Sequence, residues 1–580
     1  MPSRPRALAV ASVVALFAVA GVVPAVAARL TATPQSECGP GSNEETIQGR
    51  VPKADYDSGR TAQGYRCNAE QVGHEGDSGG FRTYRYVDEQ GHVCGYYDTT
   101  LLVGTSVVTG QDAGVAVLDM TDPANPVRTD TLVTPAMLSP HESFNLNQAR
   151  GLLAAIMGSP GTAPGIVDLY DVHADCRHPA LLSTTPLGIA GHEGTFAPDG
   201  NTLYTSATAL PFVVALDVSN PAVPVPVWTA TDHFFHGMNV SDDGNRLYAA
   251  DIVNGDGAGL TILDVSQVQA RVANPAVPVV AHLSWPNVSI PQTAIPITIG
   301  GHPYLVEIDE YAGTASTAPD APVGAGRIID IADETNPVVV SDLRLAVNEP
   351  DARATDQADD PGAGDPAQGY AGHYCSVPQR DDPGIVACSF IVSGLRVFDI
   401  HDPAAPKEIA YFNPPTRQLD LGLGGAGDRA AVVGPALLYC SVAVNAAAQQ
   451  RAGGDRAPAP GLADILNSPF SPTYNGTFAH WAMSAPAFDP ATQQVWYSDG
   501  MYGFYAVRLT NGVWQPVVDE PTTTTTTAPA ATTTTAAAAA VGTSTGDRLP
   551  RTGGPAVLAL PAVLVGLALV IRRRLAVLAN

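Results

Sequence analysis

The chain has 580 residues and a formal net charge of −26, from 30 lysine and arginine residues against 56 aspartate and glutamate residues. Because a phosphate backbone repels so acidic a protein, nucleic acid is excluded as a partner. Glycine (56) and proline (50) are frequent, while charged residues make up only 15% of the chain. This composition favours an all-β fold of many short strands and tight turns.

Residues 1–27 have the features of a secretory signal peptide. Arg4 and Arg6 precede an apolar stretch from Ala7 to Val23, and Ala25-Val26-Ala27 resembles a cleavage site. We therefore expect the mature protein to be exported. The alternative is that this segment stays attached as a membrane anchor.

Export makes the seven cysteines informative, because oxidising compartments permit disulfides. Cys375 and Cys388 flank a short turn, so a hairpin could place them opposite each other. The other pairings stay open, and one cysteine is left over. No C-x-x-C pair occurs, so a thioredoxin-like or zinc-ribbon site has no support.

From residue 81 to residue 518 the chain repeats one supersecondary unit. Its strand carries an aspartate that can accept hydrogen bonds from the following turn, as in VVALDVSNPAVPV from Val213. The first four aspartates are separated by 52, 46 and 47 residues, which is typical of a four-stranded blade. The seventh copy has Arg508 instead, and the six aspartates are Asp119, Asp171, Asp217, Asp264, Asp330 and Asp399. The pattern predicts a seven-bladed β-propeller of four-stranded blades.

The flanking and inserted segments complete this domain plan. Longer intervals between the later aspartates indicate insertions near residues 349–370 and 410–475. Residues 28–80 form an N-terminal extension, and its stretch from Tyr65 to Val72 could add an outer strand to the last blade and close the ring.

The corners LTILDVS, VVALDVSNP and GLRVFDIHDP resemble the LVIVD repeat of bacterial secreted and surface β-propellers. The resemblance covers roughly residues 81–518 and implies a cell-surface protein of Gram-positive, actinobacterial type. Because that family has no settled activity, it implies a fold and a location rather than a reaction. The arrangement is also distantly similar to selenium-binding-protein and lactonase-like seven-bladed propellers, some of which are metalloenzymes.

Histidines recur at the start of the units and form the candidate site. His141, His192 and His236 each stand 11 residues before the leucine of the next strand, and His373 and His480 lie near the same place. The first strand of each blade lines the central channel of a propeller, so these side chains should converge near one mouth. Several imidazoles together would bind a transition metal, copper or zinc by ligand type.

Neighbouring residues bear on this hypothesis. Glu142, Glu193 and His233 are adjacent to the histidines, and we expect them to serve as hydrogen-bond partners of the ligands or as a base. The fifth unit has Thr293 at the counted position. The alternative is that the recurring histidines hold neighbouring blades together by hydrogen bonds, whatever the function.

The C-terminal part predicts a tether. Residues 519–548 are rich in threonine and alanine and indicate a disordered spacer. An apolar run at 555–571 precedes an arginine-rich tail, and its helix, about 25 Å long, would be marginally long enough to span a bilayer. The arginines would hold the end of this transmembrane helix on the cytoplasmic side.

The start of this C-terminal segment, residues 549–580, carries Leu549-Pro550-Arg551-Thr552-Gly553. Motif, apolar run and basic tail together resemble the LPxTG cell-wall sorting signal of Gram-positive bacteria. The resemblance implies that a sortase cleaves between Thr552 and Gly553 and joins Thr552 to a cell-wall precursor. The helix would then contact the membrane only before processing, and an ordinary membrane anchor is the alternative.

These features predict an exported, cell-wall-anchored propeller that acts as a recognition module for an unidentified extracellular ligand. A binding module stands first because the sequence shows no complete catalytic set. The second hypothesis is a metal-dependent oxidase or hydrolase at the histidine-lined mouth. The third is a structural component of the envelope.

Overall fold

The computed structural model describes residues 31–99, 114–158, 164–208, 210–253, 257–310, 322–353, 356–361, 369–417, 473–474 and 477–516. The chain divides into two compact units, Met1–Val518 and Asp519–Asn580, and every described residue lies in the first. The predicted signal peptide, spacer, sorting motif and C-terminal helix lie outside the described residues. Within these described ranges no helix is long and apolar enough to span a membrane.

Two short strands precede the first blade, β1 (Tyr65–Cys67) and β2 (Ala69–Glu75). Four antiparallel four-stranded sheets then follow along the chain. Their strands are β3 (Thr83–Val87), β4 (Val93–Asp98), β5 (Val115–Asp119) and β6 (Val127–Leu132) in blade 1; β7 (Asn145–Asn147), β8 (Leu152–Ile156), β9 (Val167–Asp171) and β10 (Ala180–Thr185) in blade 2; β11 (Glu193–Phe196), β12 (Thr202–Ala207), β13 (Phe212–Asp217) and β14 (Val225–Ala230) in blade 3; and β15 (Phe235–Val240), β16 (Arg246–Asp251), β17 (Gly259–Asp264) and β18 (Val279–Leu283) in blade 4.

Three further sheets complete the ring and bring the number of blades to seven. Their strands are β19 (Ile290–Ile299), β20 (His302–Glu310), β21 (Gly326–Asp330) and β22 (Val338–Leu343) in blade 5; β23 (Gly372–Ser376), β24 (Ile385–Phe390), β25 (Gly394–Asp399) and β26 (Lys407–Asn413) in blade 6; and, after the hairpin β27 (Thr473–Tyr474) and β28 (Thr477–Phe478), β29 (Ala487–Asp489), β30 (Gln494–Asp499) and β31 (Gly503–Leu509) in blade 7. The prediction of a seven-bladed, four-stranded propeller is confirmed.

Helices are short and lie outside the blades. The α-helices are α1 (Lys53–Ser58), α2 (Ser266–Gln269) and α3 (Pro350–Arg353), and the 3₁₀ helices are Arg60–Gln63, Ala346–Asn348, Asp356–Asp359 and Pro490–Thr492. The predicted insertion near 349–370 thus contains two of these helical turns, whereas most of the one near 410–475 lies outside the described residues.

The N-terminal extension contributes to the last two blades. Strand β2 pairs with β31 as the outermost strand of blade 7, and β1 adds a fifth strand to blade 6 beside β26. The ring is therefore closed by joining a strand from the start of the domain to strands from its end. This arrangement stacks the two terminal blades on each other and leaves neither face of the repeat array uncovered.

The burial of each strand follows from stacking. The second and third strands of blade 2, β8 and β9, are almost wholly buried, whereas the outer strand β10 is partly exposed. Apolar clusters fill the space between adjacent blades all round the ring. Each inner strand has a neighbouring blade on both faces, so neither face is exposed to solvent.

The repeated aspartates form the turns that the sequence predicts. Asp217 Oδ1, for example, accepts a hydrogen bond of 2.9 Å from the backbone N–H of Ser219, two residues later. The other five aspartates accept the same bond from the residue two places on. This local bond fixes the corner that leads into each outer strand.

Three disulfides join six of the seven cysteines: Cys38–Cys67, Cys94–Cys176 and Cys375–Cys388. The last pair, predicted from the hairpin, is confirmed, and its residues lie opposite each other on β23 and β24. The remaining cysteine, Cys440, lies outside the described residues. Three disulfides are typical of an extracellular protein.

Candidate metal centre

The first strands of neighbouring blades contact one another, so they surround the propeller axis. Strand register identifies equivalent residues among them. In blade 3 the repeated aspartate, Asp217, pairs with Thr202 of the second strand. Two residues further along that strand, Tyr204 pairs with Thr195 of the first strand. His192 lies three residues before Thr195. The same count in all blades selects what we call the axial residues: Phe81, Glu142, His192, His236, Gln292, His373 and Ser484.

Four of the axial residues meet at the carboxylate of Glu142. Glu142 Oε2 lies 2.9 Å from His192 Nε2 and 2.8 Å from His236 Nε2, and these two nitrogens are 2.9 Å apart. Glu142 Oε1 lies 3.2 Å from His373 Nε2. Glu142 and His236 are each 2% exposed and His373 is fully buried. Three imidazoles, from three different blades, therefore bring their Nε2 atoms to the Glu142 carboxylate, which comes from a fourth.

Two more side chains border this group of four residues. Glu310, the last residue of β20, places Oε2 3.0 Å from His373 Nε2 and Oε1 3.6 Å from His236 Nδ1. His141 Nε2 lies 3.8 Å from Glu142 Oε2, and the His141 ring lies 4.3 Å from that of His192. His141 has a φ of 49°, which is uncommon for a residue other than glycine and concentrates at functional sites.

Backbone carbonyls determine which nitrogen of two histidines carries hydrogen. His236 Nδ1 lies 3.1 Å from the carbonyl oxygen of Pro291, and His373 Nδ1 lies 2.7 Å from that of Met483. Because a carbonyl oxygen can only accept, each Nδ1 must donate. In the neutral form of each imidazole, Nε2 then carries a lone pair and lies next to the Glu142 carboxylate. A free lone pair on one nitrogen and a hydrogen bond from the other is the usual arrangement of a metal-binding histidine.

The electrostatics of the group are those of a charged carboxylate among imidazoles. Burial alone would raise the pKa of Glu142, but His236 and His141 outweigh it and hold that pKa well below its ordinary value. Burial, with His192 nearby, lowers the pKa of His141 well below its ordinary value. Burial also opposes charge on His373, yet hydrogen bonds to Glu142 and Glu310 raise its pKa to about 9.

The residues that follow three of the axial residues form a second layer. Arg82 binds Glu193 through Nη2, and its Nε donates to the carbonyl oxygen of Glu142 at 3.0 Å. Tyr374 donates its hydroxyl to Glu193 Oε2 at 2.7 Å, and its ring lies 4.3 Å from the Arg82 guanidinium carbon. This assembly joins blades 1, 3 and 6 and supports the backbone that carries the axial residues.

Not every predicted site residue belongs to the group. His141, His192, His236 and His373 come together, but no contact in the described part of the chain joins His480 to them. His480 Nδ1 instead lies 3.5 Å from Asp499 Oδ2, and its ring packs on Tyr502. In blade 7 the axial residue is Ser484, four places after His480, because β29 begins later than the histidine count assumed.

The three neighbours expected as partners have different places. Glu142 is a central member of the group, not a residue behind it, and Glu193 binds Arg82 and Tyr374. His233 stacks on Phe235 with ring centroids 4.7 Å apart, and no contact between described residues joins it to the cluster. In blade 5 the register selects Gln292 and not Thr293. Leu305 is the equivalent of Leu203, but the β19–β20 hairpin is two residues longer than the β11–β12 hairpin, so the axial residue stands 13 and not 11 residues before that leucine.

Sequence reasoning missed Glu310 and Gln292. Gln292 is found only when the count runs back from the repeated aspartate through the strand pairing that the structure shows. Glu310 carries no repeat signal, since it lies at the end of a second strand. It faces the site only because β20 extends nine residues, from His302 to Glu310.

No protein-family model and no curated protein sequence matches the chain. Among solved structures, the Cps50 (Swd1) β-propeller domain of Myceliophteria thermophila is similar with 10% identity and a TM-score of 0.41, over 76% of this chain and 98% of that one. A functionally unknown protein of Desulfotomaculum acetoxidans shares 11% identity at a TM-score of 0.36, over 58% and 89% of the two chains.

Kuenenia stuttgartiensis hydrazine synthase is also similar, with 11% identity and a TM-score of 0.36, over 56% of this chain and 78% of that one. Similarities this low carry no argument about activity. The LVIVD resemblance accordingly stays a prediction. The assignment to the seven-bladed β-propellers rests on the seven sheets of the chain itself.

Proposed function

We propose that the protein is an exported β-propeller that binds one transition-metal ion on its axis, with His192, His236, His373 and Glu142 as ligands. The observation that carries this proposal is that the Nε2 atoms of all three histidines lie 2.8 to 3.2 Å from the Glu142 carboxylate oxygens. Metal–ligand bonds of about 2.0–2.2 Å place neighbouring ligand atoms roughly 3 Å apart. The spacing of these side chains therefore suits a bound ion.

The chemistry of the donors narrows the metal. Imidazole suits zinc, copper, iron and nickel, and copper binds nitrogen and oxygen sites most tightly among the divalent first-row metals. Three neutral imidazoles and one carboxylate would leave a divalent ion with residual positive charge. Such an ion can polarise a bound molecule or exchange electrons with it, so we propose an oxidase or a hydrolase as the class of activity.

The fold itself suggests a binding or scaffold module. Recognition of a surface ligand, or a purely structural role in the envelope, stays a prediction that the axial cluster does not specifically favour. The cluster favours metal chemistry, because holding blades together does not require three imidazoles and a carboxylate at one buried point.

We propose an extracellular, cell-wall-anchored location. Three disulfides support export. Anchoring by a sortase rests on the LPRTG motif at Leu549–Gly553, with the apolar run and arginines after it. The partners in this proposal are the sortase and a cell-wall precursor.

Metal affinity of purified variants tests the proposed function. We expect the wild type to bind one equivalent of Cu(II) or Zn(II) in competition with a chelator of known affinity. Loss of a residue that merely supports a ligand costs about 10–100-fold in affinity, so His236→Ala and Glu142→Gln should cost at least as much. The matched control is His480→Ala, which removes a buried histidine outside the cluster.

If His236→Ala binds the metal as tightly as the wild type, the cluster is not the binding site. If His480→Ala loses the metal equally, the effect reports general destabilisation rather than lost ligands.

A further inference from the structure

Gln292 holds the axial position of blade 5 and is the one polar axial residue in the described chain whose side chain has no hydrogen-bond partner. It is fully buried. It occupies the same register position as His236 in blade 4 and His373 in blade 6, its neighbours on either side. In all three blades a β-bulge occurs at this point of the first strand, where such a bulge re-aims a side chain.

The amide of Gln292 is unsatisfied. Neither its oxygen nor its nitrogen has a hydrogen-bond partner among the described residues. Ser484, the axial residue of blade 7, in contrast accepts a hydrogen bond of 2.8 Å from the Ser498 N–H. A buried amide without partners destabilises a folded protein, so the fold alone does not explain this side chain.

The backbone places Gln292 beside the candidate ligands. The preceding residue, Pro291, accepts the hydrogen bond of His236 Nδ1. A Cβ atom added to Gly237 would lie 2.3 Å from the Gln292 carbonyl oxygen and 3.0 Å from Glu193 Oε2, so the two blades meet closely here. Glu310, which contacts both His236 and His373, comes from the second strand of the same blade as Gln292.

We infer that the Gln292 amide binds the exogenous ligand of the metal centre. This inference rests on the proposed function. The ligand is a small molecule whose oxygen or nitrogen coordinates the ion and accepts a hydrogen bond from the amide N–H. Gln292 thereby selects molecules that present an acceptor next to the coordinating atom, and an apolar molecule of the same size leaves the amide unpaired.

A first measurement does not depend on the metal. In the metal-free protein, Gln292→Met replaces an unsatisfied amide by an apolar side chain of similar length. We expect the melting temperature to rise by about 1–3 °C. The matched control is Gln494→Met, because the buried Gln494 accepts a hydrogen bond of 3.0 Å from Trp496 Nε1 and its loss should lower the melting temperature. A decrease for Gln292→Met equal to that of the control would overturn the inference.

The second measurement uses azide as the probe on the copper-loaded protein, followed by its charge-transfer absorption. We expect Gln292→Met to retain copper with wild-type affinity but to bind azide about tenfold more weakly, since a hydrogen bond to the bound anion is lost. Unchanged azide affinity in a copper-loaded variant would contradict the role of Gln292 but would not contradict the metal centre.

Absence of copper from the wild type would instead refute the metal centre, and this inference with it. Gln292→Leu serves as a second apolar variant. If neither variant folds, the amide supports the fold and the inference is wrong.

Discussion

Glu142 shows at the level of single residues why the axial cluster suits a cation. His192 Nε2 and His236 Nε2 both lie within 2.9 Å of its Oε2 and 2.9 Å from each other. His236 already donates from Nδ1 to Pro291, so a hydrogen bond from its Nε2 requires an imidazolium ion. A buried site then has to hold protons on imidazoles, which is what the raised pKa values of His236 and His373 express. In the proposed centre a metal ion would take the place of those protons.

Asp98 carries a residue-scale prediction about pH. It is fully buried and accepts hydrogen bonds from the backbone N–H groups of Phe81 and Arg82. Burial raises its pKa to about 7 in spite of those bonds. The folded protein therefore holds more protons than the unfolded chain between about pH 4 and pH 7, and the free energy of unfolding falls as the pH rises, by up to roughly 1.4 kcal/mol per pH unit.

The variant Asp98→Asn keeps an acceptor for both N–H groups but cannot ionise. Denaturant unfolding at pH 5 and pH 7 should show a smaller loss of stability with rising pH in the variant than in the wild type. Equal losses in both proteins would mean that Asp98 is ionised throughout this range.

At the level of elements, the first strands of blades 4, 5 and 6 explain how the site is built. Each of β15, β19 and β23 has a register shift at its axial residue, whereas β11 pairs regularly and places His192 just before its first residue. A bulge inserts one unpaired residue, so the first strand keeps its pairing with the second strand on either side of it. The axial side chain is thereby released from the regular up-and-down alternation of side chains along the strand. In blade 2 no such bulge occurs at the axial residue. There the unusual φ of His141, the preceding residue, directs Glu142 into the cluster.

The disulfides give an element-scale prediction. Cys94–Cys176 joins β4 to the segment between β9 and β10, across a sequence separation of 82 residues, whereas Cys375–Cys388 closes a hairpin of 13. The entropy of the unfolded chain makes the first worth about 4.5 kcal/mol and the second about 3 kcal/mol. Replacing both cysteines of each pair by alanine should therefore destabilise the protein more for Cys94 and Cys176, as measured by urea unfolding.

The hairpin pair is the control for loss of a buried disulfide as such. A larger loss for the hairpin pair would show that local strand pairing, and not chain entropy, dominates these cross-links.

For the whole molecule, ring closure and location are linked to the two ends of the chain. Strand β2 from the N-terminal extension completes blade 7, so the propeller needs its first described residues as much as its last. The Cys38–Cys67 disulfide holds the segment before β1 against the end of that strand. Oxidation of these cysteines after export would secure the closed ring.

Anchoring can be tested on the whole protein in a Gram-positive host that carries a sortase. Thr552→Ala should abolish covalent attachment, because Thr552 is the residue that the sorting reaction would join to the wall. Arg551→Lys changes only the variable position and should behave as the wild type. Enzymatic digestion of the wall followed by immunoblotting measures the attached fraction, and wall attachment of the Thr552 variant would exclude this mode of anchoring.

The fold was predictable because its signals are local. The repeated aspartates, each with its own turn, mark the third strand of six blades, and Cys375 and Cys388 mark a hairpin. The site was predictable only in part. His192, His236 and His373 recur by simple counting, but Gln292 depends on bulges and Glu310 on the length of β20. His480 shows the limit of counting, since strand pairing in blade 7 determines which residue becomes axial.

The central claim is one metal ion bound among His192, His236, His373 and Glu142. The most direct measurement is a crystal structure of the metal-loaded protein, with diffraction collected on both sides of the metal absorption edge. We predict a single strong anomalous peak at about 2.0–2.2 Å from the three Nε2 atoms and the Glu142 carboxylate. Absence of a peak there, or a peak only at the separate group of Asp88, His92 and Asp175, would contradict the account.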